Sequence, residues 1–62
     1  MDDPTVLREC YYNMVNDGGA LIKILKGYYV DLYEIPLYGG EPVFIQKCET
    51  LKEAQTIADS WT

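Results

Sequence analysis

Histidine is absent from this chain of 62 residues, and cysteine occurs only at positions 10 and 48. Histidine is the commonest general base and metal ligand, so its absence removes the usual routes to acid–base catalysis and to metal binding. Two cysteines cannot complete a tetrahedral zinc site alone, and without an imidazole neither they nor Ser60 have an activating base. We therefore expect a chain that is not an enzyme, with no catalytic residue, no metal site and no cofactor.

Basic residues are also few. Five Lys and Arg stand against ten Asp and Glu, which gives a formal net charge of −5 and a pI near 4.3. Nucleic-acid backbones and anionic membranes are bound through clustered basic side chains, so we expect direct binding to neither. The acidic surplus lies at the two ends of the sequence, with a net charge of −3 over residues 1–17 and −2 over residues 49–62. Such a surplus keeps a small domain soluble, and it also favours a protein partner with a basic surface.

Long apolar runs and targeting signals are missing as well. Asp2 and Asp3 occupy the place of the basic region that begins a signal peptide. No apolar run approaches the roughly 20 residues that span a membrane, so we expect a soluble, cytoplasmic protein. In that compartment Cys10 and Cys48 are reduced and pack as small apolar side chains; a single disulfide between them is the alternative.

The length sets a limit on the architecture. A chain of 62 residues forms one small domain, residues 1–62, and buries only about 60% of the surface that its unfolded form exposes. A ligand pocket of roughly 300 Å³ would remove much of so thin a core. We therefore expect a fold without an enclosed site.

Residues 3–17 are predicted to form a helix. Asp3 supplies a capping side chain and Pro4 a ring already at helical φ, and an apolar stripe follows at helical spacing: Leu7, Cys10, Tyr11 and Met14. The Asn-Asp-Gly-Gly run at 16–19 then ends the helix. The alternative is a strand, because residues 10–15 are rich in strand formers and residues 16–19 would serve as a hairpin loop. The sequence leaves open which of the two forms residues 10–16 adopt.

Three runs of strand formers follow, at residues 20–25, 28–35 and 43–48. Gly and Pro residues separate them, which indicates antiparallel neighbours. The Thr-Leu-Lys-Glu sequence at 50–53 is a capping box, and the apolar positions after it predict a helix from about residue 51 to the end of the chain. The predicted fold class is α+β: a three-stranded antiparallel meander with an N-terminal helix and a C-terminal helix packed on the sheet, in the order α-β-β-β-α.

Side-chain types also predict the register of the strands. The expected pairs are Ile24 with Val30, Ile22 with Leu32, Val30 with Cys48 and Glu34 with Phe44. One face then holds an apolar set, broken by Glu34 and Gln46, that consists of Ile22, Ile24, Val30, Leu32, Phe44 and Cys48. The C-terminal helix is expected to cover this face with Leu51, Ile57 and Trp61.

The opposite face of the predicted sheet is unusually apolar for a face in contact with water. It carries Leu21, Leu25, Tyr29, Tyr33, Ile35, Val43 and Ile45, with Asp31 flanked by Lys23 and Lys47. The N-terminal helix, a second copy of the chain or a protein partner would cover such a face. The six tyrosines of the chain favour a partner because Tyr is frequent at binding hot spots, although a thin core would also place Tyr rings at its rim.

We therefore predict a partner-binding surface on this face, formed by Tyr29, Asp31, Tyr33, Ile45, Leu21 and Leu25. The predicted function is that of a small acidic, non-catalytic regulator or inhibitor that binds a protein with a basic surface. The architecture of residues 20–61 resembles that of many short bacterial and phage proteins, and small phage proteins of this kind block a host nucleic-acid enzyme by docking in its basic cleft. The alternative is a structural homodimer, or an accessory subunit of a larger assembly, that buries the same face.

Overall fold

A four-stranded antiparallel sheet followed by one helix makes up the described chain. The computed structural model describes residues 6–27 and 29–61. The elements are β1 (Val6–Val15), β2 (Gly18–Leu25), β3 (Val30–Ile35), β4 (Val43–Cys48) and α1 (Leu51–Asp59). The strands lie side by side in chain order, each antiparallel to the next. The predicted α-β-β-β-α order is therefore wrong, because a fourth strand stands where the N-terminal helix was expected.

Strand β1 replaces that helix for a local reason. Asn16 and Asp17 both adopt positive φ, 51° and 66°, as the central residues of the tightest hairpin turns do. Val15 pairs with Gly18 on either side of this two-residue turn, so residues 10–15 continue into a ladder with β2. The strand formers in this stretch fit that ladder, so the alternative prediction, a strand over residues 10–15, is the one that the structure shows. Residues 3–5 of the predicted helix lie outside the described residues.

The paired registers of the three later strands follow the sequence prediction over most of their length. Ile22 pairs with Leu32, Ile24 with Val30 and Val30 with Cys48. The predicted pairing of Glu34 with Phe44 is wrong, because the register shifts between Leu32 and Tyr33 and Phe44 pairs with Tyr33 instead. The shift is a β-bulge in β4 at Ile45, and it moves Phe44 to the face opposite the predicted one. Tyr28, the first residue of the second predicted run, lies outside the described residues.

Helix α1 begins where the capping box predicted. The Glu53 amide donates to the Thr50 hydroxyl oxygen at 3.1 Å, which satisfies one free amide of the first turn. The helix ends at Asp59 with Ser60 as its C-cap, and so does not continue to the chain terminus as expected.

The helix packs on one face of the sheet through small side chains. Ala54 and Ala58 are fully buried, whereas Leu51 and Trp61 stay 37% and 36% exposed. The prediction that Leu51 and Trp61 cover the core is therefore wrong, because the two alanines let the helix backbone approach the strands closely. Beneath them lies the main core, with Ile57, Ile24, Cys10 and Tyr12 partly buried around it: Ala20, Ile22, Val30, Leu32 and Cys48.

Both cysteines are free thiols. Cys48 is buried and Cys10 is partly buried, as the expected packing role requires. They lie on β4 and β1, the two outer strands, which puts them about 14 Å apart across the sheet. That separation is too large for a disulfide. In the part of the chain that the structure describes, no helix has the length and apolar character needed to cross a membrane.

Candidate functional site

The sheet face opposite α1, called the open face below, carries two rows of side chains that cross all four strands. The pairing registers place Glu9, Lys23, Asp31 and Lys47 in one row, called the charged row. They place Tyr11, Leu21, Tyr33 and Phe44 in the other, called the aromatic row. Strand pleating sends residues two apart to the same face, so the two rows are neighbours on one surface.

The charged row alternates in sign, and its lysines are held away from its central acid. Lys23 Nζ lies 3.6 Å from Glu9 Oε2 and 4.8 Å from the centre of the Tyr33 ring. Lys47 Nζ lies 5.2 Å from the centre of the Tyr29 ring. Both distances suit cation–π contacts, which hold the lysine heads over the ring faces.

Asp31 is left between the two lysines without an ion pair. Among the described residues its Oδ1 atom is buried and has no hydrogen-bond partner, and neither lysine comes within salt-bridge distance. A buried carboxylate oxygen without a donor is costly, because it has lost its water without gaining a protein partner. The open face thus presents an acceptor that a donor from another molecule would satisfy.

The aromatic row is exposed at its outer ends and covered in the middle. Tyr11 and Phe44 are 64% and 52% exposed, whereas Leu21 is 5% exposed. The Tyr33 and Phe44 rings meet edge to face, with centres 5.5 Å apart and planes inclined at 72°. This contact across β3 and β4 fixes both rings in orientation and leaves Phe44 accessible.

The structure brings most of the predicted site residues to one region but gives them different roles. Tyr29 and Ile45 are 51% and 39% exposed, and Tyr33 is partly buried beside Asp31. Leu21 and Leu25 are 5% and 3% exposed, so they form the floor of the open face and not its contact surface.

Sequence reasoning missed three open-face residues, namely Glu9, Tyr11 and Phe44. The first two were hidden by the helix prediction, and the strand alternative for residues 10–15 was the only signal that pointed to Tyr11. Phe44 was placed on the wrong face because a one-residue shift in pairing exchanges the faces of a strand. No feature of the sequence marked the bulge.

A second feature, called the turn end below, lies where the β1–β2 turn, the β3–β4 loop and the end of α1 meet. The Tyr38 amide donates to the Asn16 carbonyl oxygen at 2.6 Å and ties the loop to the turn. The approach is close: a Cβ atom at Gly18 would lie 2.8 Å from the Leu37 backbone and from the Pro36 oxygen. Glycine is therefore required at position 18 for the loop to pack in place.

A shallow cleft of about 200 Å³, called the turn-end pocket, opens beside this contact. Its apolar wall is formed by Val15, Ile35, Leu37, Ala58 and Trp61, and Glu34 and Asn13 supply its polar side chains. The cleft is smaller than the roughly 300 Å³ at which small-molecule pockets begin, so it suits one side chain and not a cofactor.

The turn end is also the acidic end of the molecule. Sequence positions 13–20, 34–45 and 57–61, which converge there, contain Asp17, Glu34, Glu41 and Asp59 and no Lys or Arg. All five basic residues lie toward the opposite end: Arg8, Lys23, Lys26, Lys47 and Lys52. Fold topology therefore leaves the turn end without a basic residue, whereas the opposite end holds residues of both signs.

Two further observations bear on function. No group of His, Cys, Asp and Glu residues that could hold a metal ion is found within residues 6–27 and 29–61. Comparison with protein-family models, with curated proteins and with solved structures gives no significant match.

Proposed function

We propose that this chain is a non-catalytic protein-binding module that docks on a larger protein through its open face. The observation that carries the proposal is the unpartnered Asp31 oxygen, which lies in a surface of oriented aromatic rings. A partner that donates a hydrogen bond to this oxygen would remove a cost that the free protein bears. The rings of Tyr29 and Phe44, about half exposed, would supply the apolar contact around it.

The orientation of the open-face side chains favours binding over a purely structural role. Tyr29 and Tyr33 each lie against a lysine, and Tyr33 also contacts Phe44, so the rings lose little rotational freedom when they are covered. Interfaces built from side chains that are already fixed are stronger, because less entropy is lost on association.

The charge of the molecule favours a partner with a basic surface. A net charge of −5 attracts such a surface over distances of about a Debye length, and thereby raises the rate of encounter. The form of this function that we propose is a small cytoplasmic regulator or inhibitor that covers a basic surface of a nucleic-acid enzyme, as small phage proteins do.

The test is affinity capture from a lysate of the native cell with three forms of the chain. Tyr33→Lys is expected to abolish binding of the partner, because the substitution adds a charge and breaks the ring contact with Phe44 at the centre of the open face. Thr56→Lys is the matched control, since it adds the same charge at an exposed position of α1. Far-UV circular dichroism establishes that both variants fold. A partner retained in full by Tyr33→Lys would contradict docking through this face.

A structural homodimer is the second candidate, and the outer edge of β4 favours it. Val43, Phe44 and Ile45 are 55%, 52% and 39% exposed on a strand whose outer hydrogen-bonding groups have no neighbouring strand among the described residues. Such an edge is a template for pairing with another chain. Size exclusion with light scattering at several concentrations decides: a dimer that persists on dilution, with concentration-dependent thermal stability, supports this candidate, and a monomer throughout contradicts it.

A further inference from the structure

We infer that the turn-end pocket receives one arginine side chain of a protein partner. The pocket shares no residue with the charged row or the aromatic row of the open face, and the inference goes beyond docking there, because it assigns a particular side chain to a particular cleft.

The volume and the lining of the pocket suit the aliphatic part of one side chain. It holds about 200 Å³, and Val15, Ile35 and Leu37 in its wall offer apolar contact. Long basic side chains commonly bury their methylene groups in this way and keep the charged head near water. Trp61, 36% exposed, lines the same cleft and presents the only indole of the chain.

The charge of the pocket selects a cation. Glu34 lines the cleft, is exposed, and has no ion-pair partner in the described part of the chain. Asp17 and Glu41 lie at the same end of the molecule, and the converging segments 13–20, 34–45 and 57–61 contain no Lys or Arg. A neutral apolar side chain would fill the cleft but would leave the Glu34 carboxylate without a partner.

Arginine fits this combination better than lysine does. Its planar guanidinium stacks on an indole face and can also donate two parallel hydrogen bonds to one carboxylate. The lysine ammonium is more strongly hydrated, and it interacts with a carboxylate as a point charge. Trp61 and Glu34 in one small cleft are the two groups that a guanidinium uses together.

The walls of the pocket are fixed before any ligand arrives. The hydrogen bond from the Tyr38 amide to the Asn16 carbonyl oxygen holds the loop that carries Leu37. The close packing of Gly18 against the backbone of Leu37 holds it from the other side. A cleft held in this way binds a side chain without first reorganising.

Trp61 is the only tryptophan, so its fluorescence reports directly on the pocket. The probe is a blocked Gly-Arg-Gly tripeptide, titrated into the full chain alongside the corresponding lysine, citrulline and leucine peptides. We expect the arginine peptide to change the Trp61 fluorescence in a saturable way and the lysine peptide to bind more weakly. The neutral citrulline and leucine peptides should cause no saturable change. No saturable change with arginine, or equal binding of a neutral peptide, would overturn the assignment.

Two variants separate the pocket from general electrostatic attraction. Glu34→Gln is expected to lower the affinity for the arginine peptide by about fivefold, which corresponds to the loss of an exposed ion pair. Glu41→Gln removes the same charge from the same end of the molecule, but Glu41 does not line the cleft. The affinity of this variant should therefore stay close to that of the wild type. An equal loss in both variants would mean that only the overall charge matters, which overturns the inference. The peptide assay does not involve the open face, so its failure and that of the proposed docking are distinct results.

Discussion

The Tyr12 hydroxyl on β1 donates to the Asp59 carboxylate at the end of α1, at 3.0 Å from Oδ1 and 3.2 Å from Oδ2. The Asn13 side-chain amide donates to the same carboxylate at 2.8 Å. An acidic residue in the last turn of a helix is unfavourable, because the free carbonyl groups there carry partial negative charge. Two donors from β1 offset this and fix the helix end to the first strand. Residues 47 apart in sequence therefore connect the outermost strand to the helix.

Alkaline pH is expected to weaken this contact. The hydrogen bond to Asp59, followed by burial and the charge of Asp59, raises the pKa of Tyr12 above its ordinary value. The folded state then holds the tyrosine proton more tightly than the unfolded state does, so the stabilisation is complete below the unfolded pKa of about 10. It is lost as the pH rises through the raised folded pKa.

Tyr12→Phe tests this expectation through urea unfolding measured between about pH 8 and pH 11. The wild type should be more stable than the variant at the lower pH, and the difference should shrink as the pH rises. Tyr38→Phe is the control because the Tyr38 side chain is 80% exposed. A difference between wild type and Tyr12→Phe that stays constant over the whole range would contradict the role of the hydroxyl proton.

Gly18→Ala should destabilise the protein by roughly 1–3 kcal/mol, the cost of overpacking a close contact. The added methyl group would lie 2.8 Å from backbone atoms of Leu37 and Pro36, which cannot rotate away as a side-chain end can. Chemical denaturation gives the size of the loss. Amide chemical shifts in residues 37–41 should move, although these residues are distant in sequence.

Gly27→Ala is the comparison for Gly18→Ala, because a Cβ atom at position 27 would meet nothing closer than the Tyr29 ring at 3.9 Å. The loss of stability in this variant comes from the φ of 97° at position 27, which alanine rarely adopts, and its effects should stay local to the β2–β3 turn. If Gly18→Ala leaves the amide chemical shifts of the β3–β4 loop unchanged, Gly18 does not pack closely against that loop.

Ile22→Ala should cost about 2–5 kcal/mol, because it opens a cavity at a fully buried position under α1. A chain of this length, at roughly 0.1 kcal/mol per residue, has a total stability of about 6 kcal/mol, so the variant would keep only about 1–4 kcal/mol and should unfold at a clearly lower temperature than the wild type. Ile45→Ala removes the same atoms from a residue that is 39% exposed, and it should cost much less. Thermal unfolding that ranks the two variants in the reverse order would contradict the assignment of the core.

Cys10 should react with a thiol reagent before Cys48 does. Burial, with the nearby charge of Glu53, raises the pKa of the Cys48 thiol, and the reactive thiolate is correspondingly scarce. In a Cys10→Ser variant, the remaining thiol should modify slowly in buffer and rapidly in denaturant. Rapid modification of that variant under native conditions would show that the Cys48 side chain is accessible.

The start of α1 and the pairing of β2 with β3 were predictable from sequence because both depend on short-range chemistry. Thr50 and Glu53 are three residues apart, and the loop at Lys26 and Gly27 sets which residues of the flanking strands meet. The N-terminal segment was not predictable in this way. Its apolar residues fit a helical stripe as well as a strand, and the turn at Asn16 and Asp17 together with the pairing with β2 decides for the strand.

Part of the open face was predictable because charged side chains on neighbouring strands indicate which residues pair. Lys23, Asp31 and Lys47 pair as expected, because opposite charges on neighbouring strands indicated the register. The bulge at Ile45 could not be predicted, since one extra residue in a strand leaves no mark on composition or periodicity. It decides that Phe44 contacts Tyr33 on the open face and does not join the core.

By itself, the sequence determined the acidic charge, the absence of histidine, three of the four strands and the beginning of the helix. These depend on composition or on residues close together in the chain. The tertiary structure alone decided where the charges lie: Asp17, Glu34, Glu41 and Asp59 gather at the turn end although 42 positions separate the first from the last. Antiparallel strands return the chain repeatedly to the same end of the sheet, so spatial neighbours there are set by topology and not by sequence distance.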